Sequence, residues 1–178
     1  MPPRRSHDPG APAPRGALGR SDPVPPDHLR VREASVSDIG TVSSLYCDLN
    51  DGDEPADPAT IAAAGRALSE LPGAHLFVAE TGGDPVSTCV LFVLPNLSRG
   101  ARPFGLVENV VTRRDRRNRG YAAALLEHVL AFAWGAGCYK VMLLTGRSDP
   151  SVHRLYRKVG FLPGAKAGYV AYPPEGPP

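Results

Sequence analysis

"RRDRRNRGYAAALL", running from Arg113 to Leu126, is the stretch on which the reading of this chain turns. Five arginines fall within seven residues, Gly120 follows, and the sequence then passes into a smooth apolar helical pattern. Such a run can be a nucleic-acid contact, a solvated turn, or a mouth for another polyanion, and its neighbours decide between them. Upstream, "FGLVENVVT" (Phe104 to Thr112) is a valine-rich strand pattern. Downstream, Ala122, Leu125, Leu126, Val129 and Ala133 fall on one face of a helix that Gly135 and Gly137 end. The arginines therefore occupy the turn between a strand and the start of a helix. A helix N-terminus presents unpaired backbone N–H groups and the positive end of the dipole, which suits a phosphate. Gly120 and the small Ala122 let a ligand approach the backbone closely. The arginines add charge of the kind a pyrophosphate or ribose phosphate requires. On composition alone, a solvated turn with ordinary capping chemistry stays open beside the phosphate reading.

The chain has 178 residues, which fits one domain. Its formal net charge is only +2, so the arginine run is a local feature and a general nucleic-acid or membrane-surface binder is disfavoured. Cys47, Cys89 and Cys138 are odd in number and scattered, so neither a disulfide framework nor a metal site is expected, and a reducing cytoplasm fits. The longest apolar stretches, "CVLFVL" and "VMLL", are too short to cross a bilayer. Arg4 and Arg5 are not followed by the apolar segment a targeting signal needs. A cytoplasmic protein without membrane contact is the expectation.

Residues 1–27 hold eight of the 20 prolines and almost no large apolar side chain. Such a segment buries too little surface to offset its ordering entropy, so a disordered tail is expected there, and another over 173–178 around "PPEGPP". Between them, 28–172 forms a body of about 145 residues, long enough to bury roughly two thirds of its unfolded surface in one core. Within it "HLRVREA" (28–34) suits a first strand. Ser37 and Asp38 are placed to cap a helix carrying Ile39, Val42, Leu45, Tyr46 and Leu49, and a second helix covers 59–71. "HLFVAE" and "PVSTCVLFVLP" flank "TGGD", a hairpin signal. "YKVMLLT" reads as a strand buried on both faces. Asp149 with Pro150 opens a last helix, "SVHRLYRKVG", that Gly160 stops, and short strands are expected to finish the chain. Trp134 and the methionines read as packing. Helices alternating with strands, plus one hairpin, predict a mixed sheet in an α/β or α+β layer.

"RNRGYA" (Arg117 to Ala122) resembles the Arg/Gln-x-x-Gly-x-Gly/Ala pyrophosphate loop of the GNAT superfamily of acyl-CoA-dependent N-acyltransferases. "VENVVT" is similar to that family's splayed fourth strand, and "LYRKVGF" to its tyrosine helix and following turn. The likeness covers roughly residues 29–172. It implies a central mixed, mostly antiparallel sheet of about six to seven strands flanked by about four helices. It implies acetyl-CoA as cosubstrate and acetyl transfer to a primary amine of a small molecule or peptide by direct attack. Carried over by position, the backbone from Arg117 through Asn118, Arg119, Gly120, Tyr121 and Ala122 would hold the pyrophosphate, with the Arg117 side chain shaping the loop. Val110, Val111 and Thr112 would pair their main chain with pantetheine. Asp149 falls where many members have an asparagine touching pantetheine; an aspartate accepts that bond but cannot donate one. Ala122 stands where glycine is commoner.

The transfer needs two proton movements. Glu108 lies amid an apolar strand, where a carboxylate would have a raised pKa and could act as base. Pairing with an arginine across the sheet, or a water as base, is the competing expectation. Tyr156 matches the tyrosine that donates to the coenzyme sulfur. His153 shares its helix face and reads as a surface histidine. "ENVVT" with the later "GCYKVMLL" is similar to glucosamine-6-phosphate N-acetyltransferases, which pair as dimers, so a homodimer joins the expectations. Asp48, Asp51, Asp53, Glu54 and Asp57 crowd one loop, either as a solvated, helix-capping segment or as a collar for a cationic amine. A non-catalytic acyl-CoA-binding regulator is the alternative function, and a nucleic-acid module using the arginines the more remote one.

Overall fold

The computed structural model describes residues 28–49 and 54–174; the tail expected over 1–27, and 175–178 of the other, lie outside them. Five strands form one sheet in the order β1 (Leu29–Glu33), β2 (Ala74–Thr81), β3 (Asp84–Leu94), β4 (Phe104–Thr112), β5 (Val141–Leu143). All neighbours are antiparallel except β4 and β5, which run parallel. Four α-helices join them: α1 (Ile39–Tyr46), α2 (Pro58–Glu70), α3 (Tyr121–Gly135) and α4 (Pro150–Lys158).

Local chemistry explains most element boundaries. Gly82 and Gly83 have φ of +61° and +83°, so the β2–β3 hairpin closes on a two-residue turn of the kind glycine adopts without strain. Asp57 accepts from the backbone N–H of Ala59 and Thr60 at 3.0 and 3.1 Å, and Pro58 fills the first position of α2. Asp149 does the same for α4, accepting from Ser151 N at 2.8 Å.

The core lies between the sheet and α3. Phe77, Ala79, Cys89, Leu91 and Val107 meet Leu125, Leu126, Val129 and Ala133 in one buried cluster, with Leu155, Tyr156 and Val159 of the α4 region against it. By the period-two alternation of strands, Val78, Thr88 and Val90 point to the opposite face, where α1 contributes buried Val42 and Leu45. Arg32 ties this side together. It donates to Glu80 at 2.7 Å and to both oxygens of Asp38 at 2.7 and 3.0 Å, and its guanidinium holds the Asp38 carboxyl well below the usual range.

Several expectations need correction. Five strands are present among the described residues, fewer than six to seven, and 161–174 forms none. Pro163 and Gly164 break that segment, and Leu162, Tyr169, Val170 and Tyr172 are exposed. "YKVMLLT" shrinks to a three-residue edge strand, half-buried throughout, because only β4 pairs with it. Trp134 is 50% exposed and does not pack in the core. Ala123, not Ala122, joins the buried face of α3. Asp38 spends its carboxylate on Arg32 and Ser35 instead of capping α1, a 3-10 turn at Val36–Asp38 precedes that helix, and Leu49 lies past its end.

Candidate functional site

The strand that shapes the site is irregular. Thr88 of β3 pairs with Val111 of β4 and Val90 with Glu108, so Cys89 alone faces both Asn109 and Val110. Two residues against one make a β-bulge. Asn109 carries the distortion with φ +56°, a left-handed conformation that asparagine tolerates better than most side chains. The bulge reverses the alternation. Val107 and Val110 both meet the α3 cluster, while Glu108 and Val111 share the other face.

Beyond this point the sheet opens. β4 and β5 pair only from Gly105–Val141 to Val107–Leu143. Past Val107 and Leu143 the two strands no longer pair, and a cleft of about 960 Å³ lies where they part. Its lining includes Glu108, Val110, Val111 and Thr112 of β4, the backbone run Arg117, Asn118, Arg119, Gly120, Tyr121 and Ala122, and Asp149 and Tyr156 of the α4 region. The structure thus brings together the whole set singled out from the sequence.

At one end of the cleft sits the start of α3. Gly120 caps the helix with φ +83°, and Asn118 is left-handed as well at φ +60°. The first N–H groups of a helix have no intrahelical partner, so the turn offers an anion both main-chain donors and the helix dipole. Most of the arginines are committed elsewhere. Arg113 bonds Asp84 at 2.7 Å and Asp115 at 2.8 Å, and Arg116 lies 3.5 Å from Asp115. Arg117 donates to the carbonyls of Thr112 at 3.2 Å and Asp48 at 2.8 Å, which builds the turn from inside. Arg119 has no hydrogen bond or ion pair with the described residues and is exposed on the cleft. A run that looked like a continuous basic surface is therefore largely a scaffold with one uncommitted cation.

Glu108 is half-buried and forms no ion pair across the sheet among the described residues. Tyr156 is half-buried with its ring edge-on to Phe161. Burial pushes its phenol above the ordinary range, and the nearby Cys89 and Glu108 add to this, while Arg147 opposes it. A phenol so raised stays protonated at neutral pH and remains a donor. His153 is half-buried and donates from Nε2 to the carbonyl of Arg147 at 2.9 Å, pinning the β5–α4 loop beside the cleft. The Asp149 carboxylate is turned to its own helix cap, which lowers its pKa through the Ser151 bonds.

The described aspartates of the acidic cluster, Asp48 and Asp57, have separate partners. Asp57 caps α2, Asp48 binds the arginine turn, and Asp51 and Asp53 lie outside the described residues. The sequence reading missed Asp48 as a partner of the turn, and missed the bulge at Asn109. An asparagine inside a valine-rich strand was the only local signal for the latter.

Residues 42–161 match the Acetyltransferase (GNAT) family, and the chain belongs to it. It is 40% identical to an acetyltransferase so described from Agrobacterium tumefaciens str. C58, with a TM-score of 0.76 over 80% of this chain and 99% of that one. Two curated relatives are similar over shorter spans. A glucosamine 6-phosphate N-acetyltransferase of Trypanosoma brucei brucei is 33% identical over 48% of this chain and 56% of its own length. A protein of Oryza sativa subsp. japonica described as a glucosamine 6-phosphate N-acetyltransferase 2 is 35% identical over 49% and 53%. The chain spans about half the length of these curated relatives. Among the described residues no helix is long and apolar enough to cross a membrane, and no cluster of ligating side chains could hold a metal ion.

Proposed function

We propose that this chain is an N-acetyltransferase that moves an acetyl group from acetyl-CoA to a primary amine of a small molecule or peptide by direct attack. The observation that carries this reading is the cleft where β4 and β5 part, which joins the amide-rich start of α3 to Glu108 and Tyr156 in one space. The main chain around Gly120 and the Arg119 side chain would receive the pyrophosphate, and Val110, Val111 and Thr112 would pair with pantetheine as an added strand does. Asp149, with its carboxylate spent on the cap, would offer pantetheine no more than a weak contact.

In the reaction, Glu108 takes a proton from the ammonium of the acceptor, directly or through water. The freed amine attacks the thioester carbonyl, the nitrogen of the adduct gives up its second proton to solvent, the C–S bond breaks, and the leaving thiolate takes the Tyr156 proton, which solvent restores. The products are an acetamide and free coenzyme A. The similarity to glucosamine 6-phosphate N-acetyltransferases favours a small-molecule amine as acceptor; a cytoplasmic location belongs to the same proposal, in keeping with three free cysteines. A homodimer belongs to the same reading, supported by apolar surface at Leu144, Leu162, Tyr169, Val170 and Tyr172.

The test is a screen of amines against purified protein and acetyl-CoA, following thiol release, with Gly120→Glu as the control. Release with a primary amine, lost in the folded Gly120→Glu protein along with calorimetric acetyl-CoA binding, supports the transferase. Acetyl-CoA binding without release for any amine would make the chain a regulator, and salt-sensitive duplex binding in place of both would return the arginines to nucleic acid.

A further inference from the structure

We propose that Asp48 is a positioning residue that joins the coenzyme end of the cleft to the last turn of α1, so that filling the cleft at the arginine turn orders α1; this rests on the acetyl-CoA reading above. Asp48 lies just past the end of α1, and its carboxylate reaches a residue 66 positions away. Oδ2 accepts from Arg114 N at 2.9 Å, and Oδ1 lies 2.8 Å from Arg114 Nε. Its main-chain carbonyl accepts from Arg117 Nη2 at 2.8 Å. Both halves of the residue thus hold the same turn, whose own regular structure is only a 3-10 turn at Arg114–Arg116.

The two kinds of bond differ in weight. The Arg114 side chain is 55% exposed and that of Asp48 22%, so their ion pair is screened and contributes little. A carboxylate accepting a main-chain N–H is charge-assisted and fixes the backbone itself. That backbone leads directly into the amides from Arg117 to Tyr121 that would meet the pyrophosphate. The same end of α1 reaches the floor of the site. Two residues earlier, the Tyr46 hydroxyl is sealed from solvent beside Thr88 and Asn109, without a well-formed hydrogen bond to either. One helix end therefore touches both the anion turn and the bulge that aims Glu108, and Asp48 is its link to the former. Anything that stiffens the turn also removes freedom from α1, and by linkage the effect is reciprocal.

The experiment is calorimetry with acetyl-CoA together with hydrogen exchange on peptides covering residues 39–49, with and without acetyl-CoA. In the unaltered protein, acetyl-CoA should bind and slow exchange in α1. Asp48→Ala should bind about 10-fold more weakly, as expected for loss of a charge-assisted bond, and the slowing in α1 should vanish. Asp48→Asn keeps an oxygen for Arg114 N but loses the ion pair and the charge on that bond, so it should bind more tightly than Asp48→Ala, within about 5-fold of the parent, and keep the slowing. Asp48→Ala with parental affinity and parental slowing overturns the coupling, as does Asp48→Asn behaving like Asp48→Ala, which would make Asp48 a counter-charge. If Asp48→Ala does not fold, Arg117→Ala takes its place, read at an acetyl-CoA concentration that calorimetry shows to saturate it: loss of the α1 slowing then supports the link, and its retention overturns it. Failure of the unaltered protein to bind acetyl-CoA is a separate outcome that removes the cofactor reading and this inference with it.

Discussion

Val107 and Val110 turn their side chains to the same layer of the core although three positions separate them on one strand. In a regular strand an odd separation puts side chains on opposite faces. The bulge opposite Cys89 absorbs one residue and restores burial for Val110 on the α3 side, leaving Glu108 and Val111 on the other. The catalytic geometry proposed for this cleft depends on that one-residue shift, because the residue that follows Glu108 no longer continues the ladder.

Asn109 is therefore expected to be replaceable by glycine and not by a β-branched residue. At φ +56° a valine should lose about 1–2 kcal/mol of stability in urea unfolding, whereas Asn109→Gly should be nearly neutral. Equal losses in both variants would place the importance of Asn109 in its side-chain amide rather than its backbone.

Tyr156→Phe should lower turnover by about 10²–10⁴-fold with acetyl-CoA affinity nearly intact, since only the proton to the leaving sulfur is lost. Its phenol is raised chiefly by burial, so the parent should hold its donor through neutral pH and lose rate only under strongly alkaline conditions. Full turnover in the variant would reduce Tyr156 to a packing residue against Phe161.

For Glu108, the informative quantity is the pH profile. An acceptor amine is mostly protonated at neutral pH, so rate should rise with pH through an ionisation. In Glu108→Gln that ionisation should shift or disappear. A profile identical to the parent's would assign deprotonation to water.

Asp38 offers a test of stability alone. Hydrogen bonds from Arg32, foremost, hold its carboxyl below the unfolded value, against the opposing cost of burial. A depressed carboxyl stabilises the fold above the unfolded pKa of about 4, and that contribution is lost as pH falls toward the folded value. Asp38→Asn should cost about 2–3 kcal/mol at pH 7, and the gap from the parent should narrow as urea melts are repeated toward pH 3. A gap constant with pH would show that shape, not charge, is what Asp38 supplies.

The sequence by itself determined what short-range chemistry determines. The order of strands and helices through α4, the glycine turn of the β2–β3 hairpin, the Asp57 and Asp149 caps and the placement of an arginine turn at a helix start are all local, written in period-two and period-3.6 patterns and in turn residues. Tertiary structure decided everything that needed a partner far along the chain. Nothing near Asp48 announces that Arg114 will claim it. The valines of β4 do not reveal that the register slips at Asn109, because both faces of that strand accept valine. β5 was read as longer and deeper than it is, since an apolar run states a wish for burial but not which neighbours will supply it. The cleft itself is a disagreement between two strands about how long to stay paired, and pairing is a property of neither strand alone.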